Sequence, residues 1–225
     1  MLNADFRCIN KKEFYESCIK NPAKPFIVFG YASLITFPHI KYYNRQIGCI
    51  KNYATRLYQG SIVLGSLDWP GRVATLVPAD GNLCFGVAFY VNDEAKVESW
   101  EYLNLREINY SLVSMEFYPL INDNTGVSNE PETVVTFVAL PDNEQYLGEC
   151  ELELQAYQIL KAQNKWPNTR YVENLLAFYA KIPQSLQNDN YLVDLKELIE
   201  RISRKEIILS DKQLEELPKR YYNDK

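Results

Sequence analysis

Apolar positions along this chain follow two patterns, short continuous runs up to about residue 140 and helical stripes mostly after it. The first pattern opens with Phe26-Ile-Val-Phe29, an unbroken run ending at Gly30, as expected of a buried strand that delivers the chain into a tight loop. Further β-rich stretches follow at 48–63, 72–77, 83–91, 110–118 and 133–140. Trp69-Pro-Gly71 and Asp80-Gly-Asn82 carry turn chemistry between neighbouring runs, which predicts antiparallel pairing. The second pattern predicts helices. Val97, Trp100 and Leu103 form one apolar stripe over 93–104. Leu152, Ala156, Ile159 and Leu160 form another over 149–161, and Val172, Leu175, Leu176 and Tyr179 a third over 169–180. Pro167-Asn168 supplies a stop and a cap before the third. Amphipathic stretches at 191–204 and 213–217 complete the series, the latter opened by a Ser210-x-x-Gln213 capping box. At the other end, Asn10 and Glu13 read as a capping pair for a short helix stapled by Ile9 and Phe14 and stopped by Pro22 and Pro25. Strands first and helices concentrated late predict an α+β fold, a small antiparallel β-barrel or sheet with surrounding helices. The polar stretch 122–132 reads as a surface loop and 221–225 as a frayed tail.

Composition narrows this picture. With 225 residues, 47% hydrophobic and 24% charged, the chain is expected to fold as a single domain over 1–225. Its net charge is −5, with Lys and Arg scattered among acidic residues, so it lacks the basic stripe that neutralises a phosphate backbone, and nucleic acid is not an expected partner. Residues 1–12 are polar and charged where a secretory signal needs an apolar stretch. The longest nearly apolar run, 26–37, is shorter than the roughly 20 residues that cross a bilayer. Cys8, Cys18, Cys49, Cys84 and Cys150 are odd in number and form no C-x-x-C pair, which predicts reduced, mostly buried thiols. A reducing cytoplasm, away from any membrane, is the compartment these features predict.

Several chemistries drop out for want of residues. The only histidine, His39, follows Pro38 in a loop-like stretch and is expected to be partly exposed, so the imidazole base of serine and cysteine hydrolases is missing. One histidine and no clustered cysteines make a transition-metal site an unexpected feature. Neither G-x-G-x-x-G nor G-x-x-x-x-G-K-[ST] occurs, which removes the usual phosphate cradles. Catalysis would then rest on carboxylates, hydroxyls and backbone amides.

A specific series of motifs runs through the middle of the chain. In order they are Phe26-Ile-Val-Phe-Gly-Tyr-Ala-Ser-Leu34, Tyr53-x-x-Arg56-x-Tyr58-Gln59-Gly60-Ser61, Pro70-Gly-Arg-Val-Ala-Thr-Leu76 and Gly86-Val-Ala-Phe-Tyr90. Tyr102-Leu-Asn-Leu-Arg-Glu107, Pro141-Asp-Asn-x-x-Tyr146-Leu-Gly148 and Pro167-Asn-x-x-Tyr171-Val-x-Asn174-Leu175 follow. Together they resemble, in family order, the signatures of the ChaC-like glutathione-specific γ-glutamylcyclotransferases, over about residues 26–180.

The resemblance implies a compact α+β fold that cleaves glutathione into 5-oxoproline and cysteinylglycine without a cofactor, on a small-molecule substrate. It also assigns roles. Val28, Phe29, Gly30, Tyr31, Ala32, Ser33 and Leu34 would form the γ-glutamyl-binding loop, Glu107 would be the catalytic acid/base, and Tyr146 would line the site. In such a reaction the substrate's α-amine attacks its own γ-carbonyl, so the enzyme needs no nucleophile, and backbone amides of the 31–34 loop are available to the γ-glutamyl carboxylate or to the oxyanion. The chain also departs from the family pattern. Ala32 replaces a usual glycine, the segment after Glu107 is one residue shorter than R-E-x-x-G-Y and lacks its glycine, and 62–70 lacks an H-R-G element. These departures leave open other γ-glutamyl amino acids or γ-glutamylamines as substrates, or a γ-glutamyl-binding module without turnover. Residues 1–24 and 183–225 lie outside the resemblance as terminal extensions.

Overall fold

A computed structural model describes residues 6–121 and 126–217 of the chain. Six strands form one sheet, β1 (Arg7–Cys8), β2 (Ile27–Gly30), β3 (Tyr42–Ser61), β4 (Gly71–Val91), β5 (Ser111–Pro119) and β6 (Glu132–Val138). They lie in the order β1-β5-β3-β4-β2-β6, and a further β5–β6 pairing closes five of them into a barrel. Closure removes the free edges that an open sheet exposes. β6 takes one edge of β5 from Ser111 to Phe117, and β3 and β1 share the other, at Pro119 and Tyr118 and at Ser114 and Val113. β2 runs parallel to β6 at Val28↔Val135 while β1–β5, β2–β4, β3–β5 and β5–β6 are antiparallel, so the barrel is mixed at that seam.

The helices are α1 (Lys11–Phe14), α2 (Ser33–Thr36), α3 (Lys96–Arg106), α4 (Leu152–Lys161), α5 (Thr169–Tyr179), α6 (Tyr191–Ser203) and α7 (Asp211–Glu215). Asn10 caps α1 by accepting from the amides of Lys12 and Glu13, and the Ser210/Gln213 capping box of α7 is formed, both as their sequence signals predict. A π-helical turn, Tyr15–Ile19, extends α1 before the prolines stop it.

Four local expectations are corrected. Asp80-Gly-Asn82 is not a turn, because β4 runs unbroken through it. Gly81 (φ +77°) and Asn52 (φ +65°) absorb a local distortion, and the Asn52 side chain accepts from the Gly81 amide at 3.0 Å. The stripe of α3 is rotated, leaving Val97 exposed while Lys96, Ser99, Trp100 and Leu103 are buried. Lys96 is drawn inward because its ammonium donates to the carbonyls of Asn21 and Lys24 and pairs with Asp93. Asn168 precedes α5 without a side-chain cap; its amide is buried and instead accepts from the Arg72 amide and donates to the Arg72 carbonyl. Of the five cysteines only Cys49 and Cys84 are buried, since Cys8 lies on the short outer strand, Cys18 on the π-helical turn and Cys150 in a loop. Residues 122–125 of the expected loop and the 221–225 tail lie outside the described residues.

The chain divides into two compact units, one formed by the chain up to Thr55 with Leu76–Leu140 and Ile182–Asn188, the other by Arg56–Thr75, Pro141–Lys181 and the chain from Asp189 on. In the first, Val28, Phe29, Phe85, Ala88, Phe89, Leu112, Val113, Phe117 and Val138 are buried, divided by strand alternation between the two faces of the sheet. Phe14, Phe26 and Trp100 form an aromatic cluster that fastens α1 and α3 to it, with ring centroids 5.3–6.3 Å apart. In the second, Leu154, Ala156 and Ile159 of α4, Val172, Leu175 and Phe178 of α5, and Leu192, Leu195, Ile199 and Ile202 of α6 build a helical core. Among the described residues no helix is long and apolar enough to cross a membrane.

Candidate active site

β2 ends where backbones approach too closely for side chains. A Cβ on Gly30 would lie 2.8 Å from the Cβ of Leu34, and one on Gly86 would lie 2.4 Å from the Gly30 carbonyl oxygen. The chain then leaves the barrel and enters α2 through Tyr31 and Ala32. Ala32 has φ −146° and ψ −120°, so it does not adopt the left-handed φ that would favour the glycine usual at this position in the resembling family. Val28, Phe29, Tyr31 and Leu34 are buried, while Ala32 and Ser33 are partly open. The Val28 and Phe29 side chains are fully buried, so what this loop can offer a ligand comes from its backbone and from its later residues. β6 grips the loop from one side, Thr136 Oγ1 donating to the Phe29 carbonyl and Tyr31 Oη to the Phe137 carbonyl, both at 2.7 Å.

Glu107 caps the C-terminus of α3, its amide donating to the Leu103 carbonyl at 2.8 Å. The shortened segment that follows is taken up by a turn in which the Tyr110 amide donates to the Glu107 carbonyl. Glu107 is only 9% exposed, and burial pushes its carboxyl above the usual carboxylate range. The charges of Arg106 and then Lys11 act in the opposite direction. Arg106 Nε lies 3.1 Å from Glu107 Oε1. The same guanidinium donates through Nη2 to Ser33 Oγ at 2.6 Å, and through Nη1 to the Phe37 carbonyl at 2.5 Å and Tyr102 Oη at 3.3 Å. One planar fork therefore holds both the buried carboxylate and the loop that follows β2, a geometry an ammonium would not reproduce.

The first unit thus brings together Glu107 and the whole 28–34 loop. Tyr146 belongs to the second unit, where its amide donates to the Asn143 carbonyl at 2.9 Å and its backbone forms a bridge with Gln59. Its phenol is half-buried, and burial raises its pKa. Beside it Gln59 is almost fully buried, donating to Asn143 Oδ1 at 3.4 Å while its own Oε1 has no hydrogen-bond partner among the described residues. His39 is exposed at φ +48°, its ring stacked on Phe37, and is given no catalytic partner by the geometry. Among the described residues no group of three His, Cys, Asp or Glu is placed to hold a metal ion.

The sequence motifs contain Arg106 and Gln59 but do not distinguish them from neighbouring polar residues. Arg106 stands out only once its three directions of bonding are seen, and Gln59 only once its burial is known. Arg72 is fully buried, donating to Gln158 Oε1, the Leu57 and Gly148 carbonyls and Cys150 Sγ at 2.8–3.3 Å, and so supports the second unit from within.

Comparisons with known proteins bear on the family and the fold. The family model for ChaC-like protein matches residues 26–202. A glutathione-specific γ-glutamylcyclotransferase 1 of Danio rerio is 35% identical over 156 residues, covering 67% of this chain and 77% of the relative. The Homo sapiens protein of the same name is 33% identical, covering 67% of this chain and 68% of its own length. The fold superimposes on a crystal structure of the γ-glutamylcyclotransferase specific to glutathione from yeast with a TM-score of 0.72, at 25% identity, over 79% of this chain and 96% of that one. The motif order, the closed barrel and the buried glutamate at the end of α3 have a common explanation: this chain belongs to the ChaC-like family.

Proposed function

We propose that this protein cleaves glutathione into 5-oxoproline and cysteinylglycine in the cytoplasm, with Glu107 as the acid/base and the 28–34 loop holding the γ-glutamyl end. The observation that carries the reading is Glu107 itself, a buried carboxylate in the family's Arg-Glu motif, tied through Arg106 to that loop. Four of the relatives that share about a third of their sequence with this chain are named for glutathione.

The chemistry needs little beyond what these residues supply. The α-ammonium of the γ-glutamyl group gives a proton to Glu107, and the freed amine attacks the γ-carbonyl to close a five-membered lactam. The bond from the γ-carbon to the cysteinyl nitrogen breaks as Glu107 returns its proton to that nitrogen, and the second proton shed by the attacking nitrogen as it becomes the lactam N–H ends on the departing amine, which leaves as an ammonium. No water is consumed. Because the nucleophile arrives inside the substrate, holding it in near-attack geometry can supply about 7–11 kcal/mol. A single positioned carboxylate serving both nitrogens typically adds about 10²–10⁴-fold. Burial that raises the Glu107 pKa makes it a stronger base toward an ammonium, and the adjacent cations keep it ionised enough to act.

Incubating the purified protein with glutathione should release 5-oxoproline and cysteinylglycine in equal amounts. A panel of γ-glutamyl amino acids and γ-glutamylamines should turn over more slowly. Turnover of those compounds without turnover of glutathione would sink the substrate assignment, and binding without any product would leave only a γ-glutamyl-binding module.

A further inference from the structure

We propose that Lys11, from the segment ahead of the family match, is a positioning residue for Glu107: it fixes the carbonyl end of that residue and holds its side chain toward the ionised, proton-accepting form. The inference rests on reading Glu107 as the acid/base of the cyclisation.

The fold places Lys11 by three anchors. Strand β1 pairs with β5, and the Ile9 amide continues that contact by donating to the Leu112 carbonyl at 2.8 Å. Asn10 then turns the chain into α1 by capping it. Phe14 locks the far end, its ring 5.3 Å from Trp100 of α3 and 5.9 Å from Phe26. Between these anchors Lys11 extends its Nζ to 3.2 Å from the Glu107 carbonyl oxygen and 5.6 Å from the centroid of the Phe137 ring. Phe137 is the residue whose carbonyl receives Tyr31 Oη, so the lysine packs on the strand that also steadies the 28–34 loop.

Two charged groups act on the Glu107 carboxylate among the described residues, Arg106 from α3 and Lys11 from α1. Arg106 is shared with Ser33 and Phe37, whereas the ammonium of Lys11 donates to the Glu107 backbone carbonyl, which keeps its charge beside that residue. Burial pulls the Lys11 pKa below its usual range while Glu107 pulls it back up, so each charge favours the other. A base must be ionised to accept a proton, and kcat/KM therefore falls as pH drops through the pKa of Glu107. A nearby cation moves that acid limb to lower pH, and removing the cation moves it to higher pH. Family resemblance cannot supply this role, since the family match begins at residue 26.

The test is the pH profile of kcat/KM for glutathione in the wild-type protein and in Lys11→Met, Lys11→Gln, Lys11→Arg and Glu107→Gln, with melting temperatures alongside. Lys11→Met and Lys11→Gln should each move the acid limb up by about 0.5–1 pH unit, at the low end of what a neighbouring charge does because Lys11 is half-exposed. On that limb the loss is about 3–10-fold, and it narrows toward the alkaline plateau. Lys11→Gln keeps a donor for the carbonyl without the charge, and Lys11→Arg keeps the charge and should return the limb to its wild-type place. Superimposable acid limbs in wild type and folded Lys11→Gln would overturn the inference while leaving Glu107 as the base. Near-normal turnover in Glu107→Gln would overturn the assignment of the base instead.

Discussion

Glu107 and its neighbours show how far a single side chain can be understood from its sequence. Glu107 was marked by its motif, and its depth of burial and its pairing with Arg106 agree with a role in proton transfer. Glu107→Gln keeps the volume and much of the hydrogen bonding but cannot accept a proton. It should lower kcat by about 10²-fold or more while weakening a non-reacting γ-glutamyl analogue only modestly. Glu101 lies on the exposed face of the same helix, and Glu101→Gln should change neither quantity. Steady-state kinetics and calorimetry on the two variants read this directly, and normal turnover in folded Glu107→Gln would mean the wrong carboxylate had been chosen. Lys11 was illegible for a definite reason: its partner lies 96 residues away, and neither periodicity nor spacing reports a contact of that range. Ala32 was legible as a departure, but its consequence was not, because sequence does not give the sign of φ.

At the scale of elements, strands and helices were legible where one period dominates, and misread where a side chain served a distant backbone. Asp80-Gly-Asn82 has the composition of a turn, yet the barrel needs a long, bent β4, and Gly81 provides the distortion without ending the strand. Asn168 looks like a cap, but satisfying the buried Arg72 backbone outweighs capping α5. Lys96 looks polar and lies inside because two carbonyls and Asp93 receive its ammonium. The close approach of β4 to β2 is another element-level demand, and it bears on the site. In Gly86→Ala the new methyl would meet the Gly30 carbonyl at 2.4 Å and the Phe29 ring at 2.5 Å, neither of which is the free end of a flexible chain. Separating the strands there should cost about 1–3 kcal/mol and displace the loop that starts at Gly30. Denaturant unfolding should show the lowered midpoint, and KM for glutathione should rise with it. An unchanged midpoint would mean that the two strands can part at no cost.

For the whole molecule, ordered motifs over most of the chain were enough to identify the family and an α+β fold around a small barrel or sheet, while barrel closure, the partition into two compact units and the use of the N-terminal segment needed coordinates. Stability is the whole-molecule property in which the cost of the site should show. The Glu107 carboxyl has its pKa raised by folding from an ordinary value of 4.5, which means that the fold prefers it neutral. Such a group stabilises the fold fully below its unfolded pKa, and that contribution is lost as pH rises through the folded pKa. At neutral and alkaline pH the wild-type protein therefore keeps an ionised Glu107 at the expense of stability. Glu107→Gln removes that burden and should melt higher than wild type at pH 7–8, with the difference shrinking as pH falls and nearly gone by about pH 4. The substitution also changes the formal net charge from −5 to −4, since −5 + 1 = −4, and any chain-wide relief of repulsion would act in the same direction. Glu101→Gln makes the identical change of net charge at an exposed position, so the excess of the Glu107→Gln effect over it belongs to burial of the carboxylate. Melting curves of the three proteins from pH 4 to pH 8 decide the matter. A Glu107→Gln protein that loses stability relative to wild type as pH rises would show that pairing with Arg106 and Lys11 outweighs desolvation, and that the fold favours the charged glutamate.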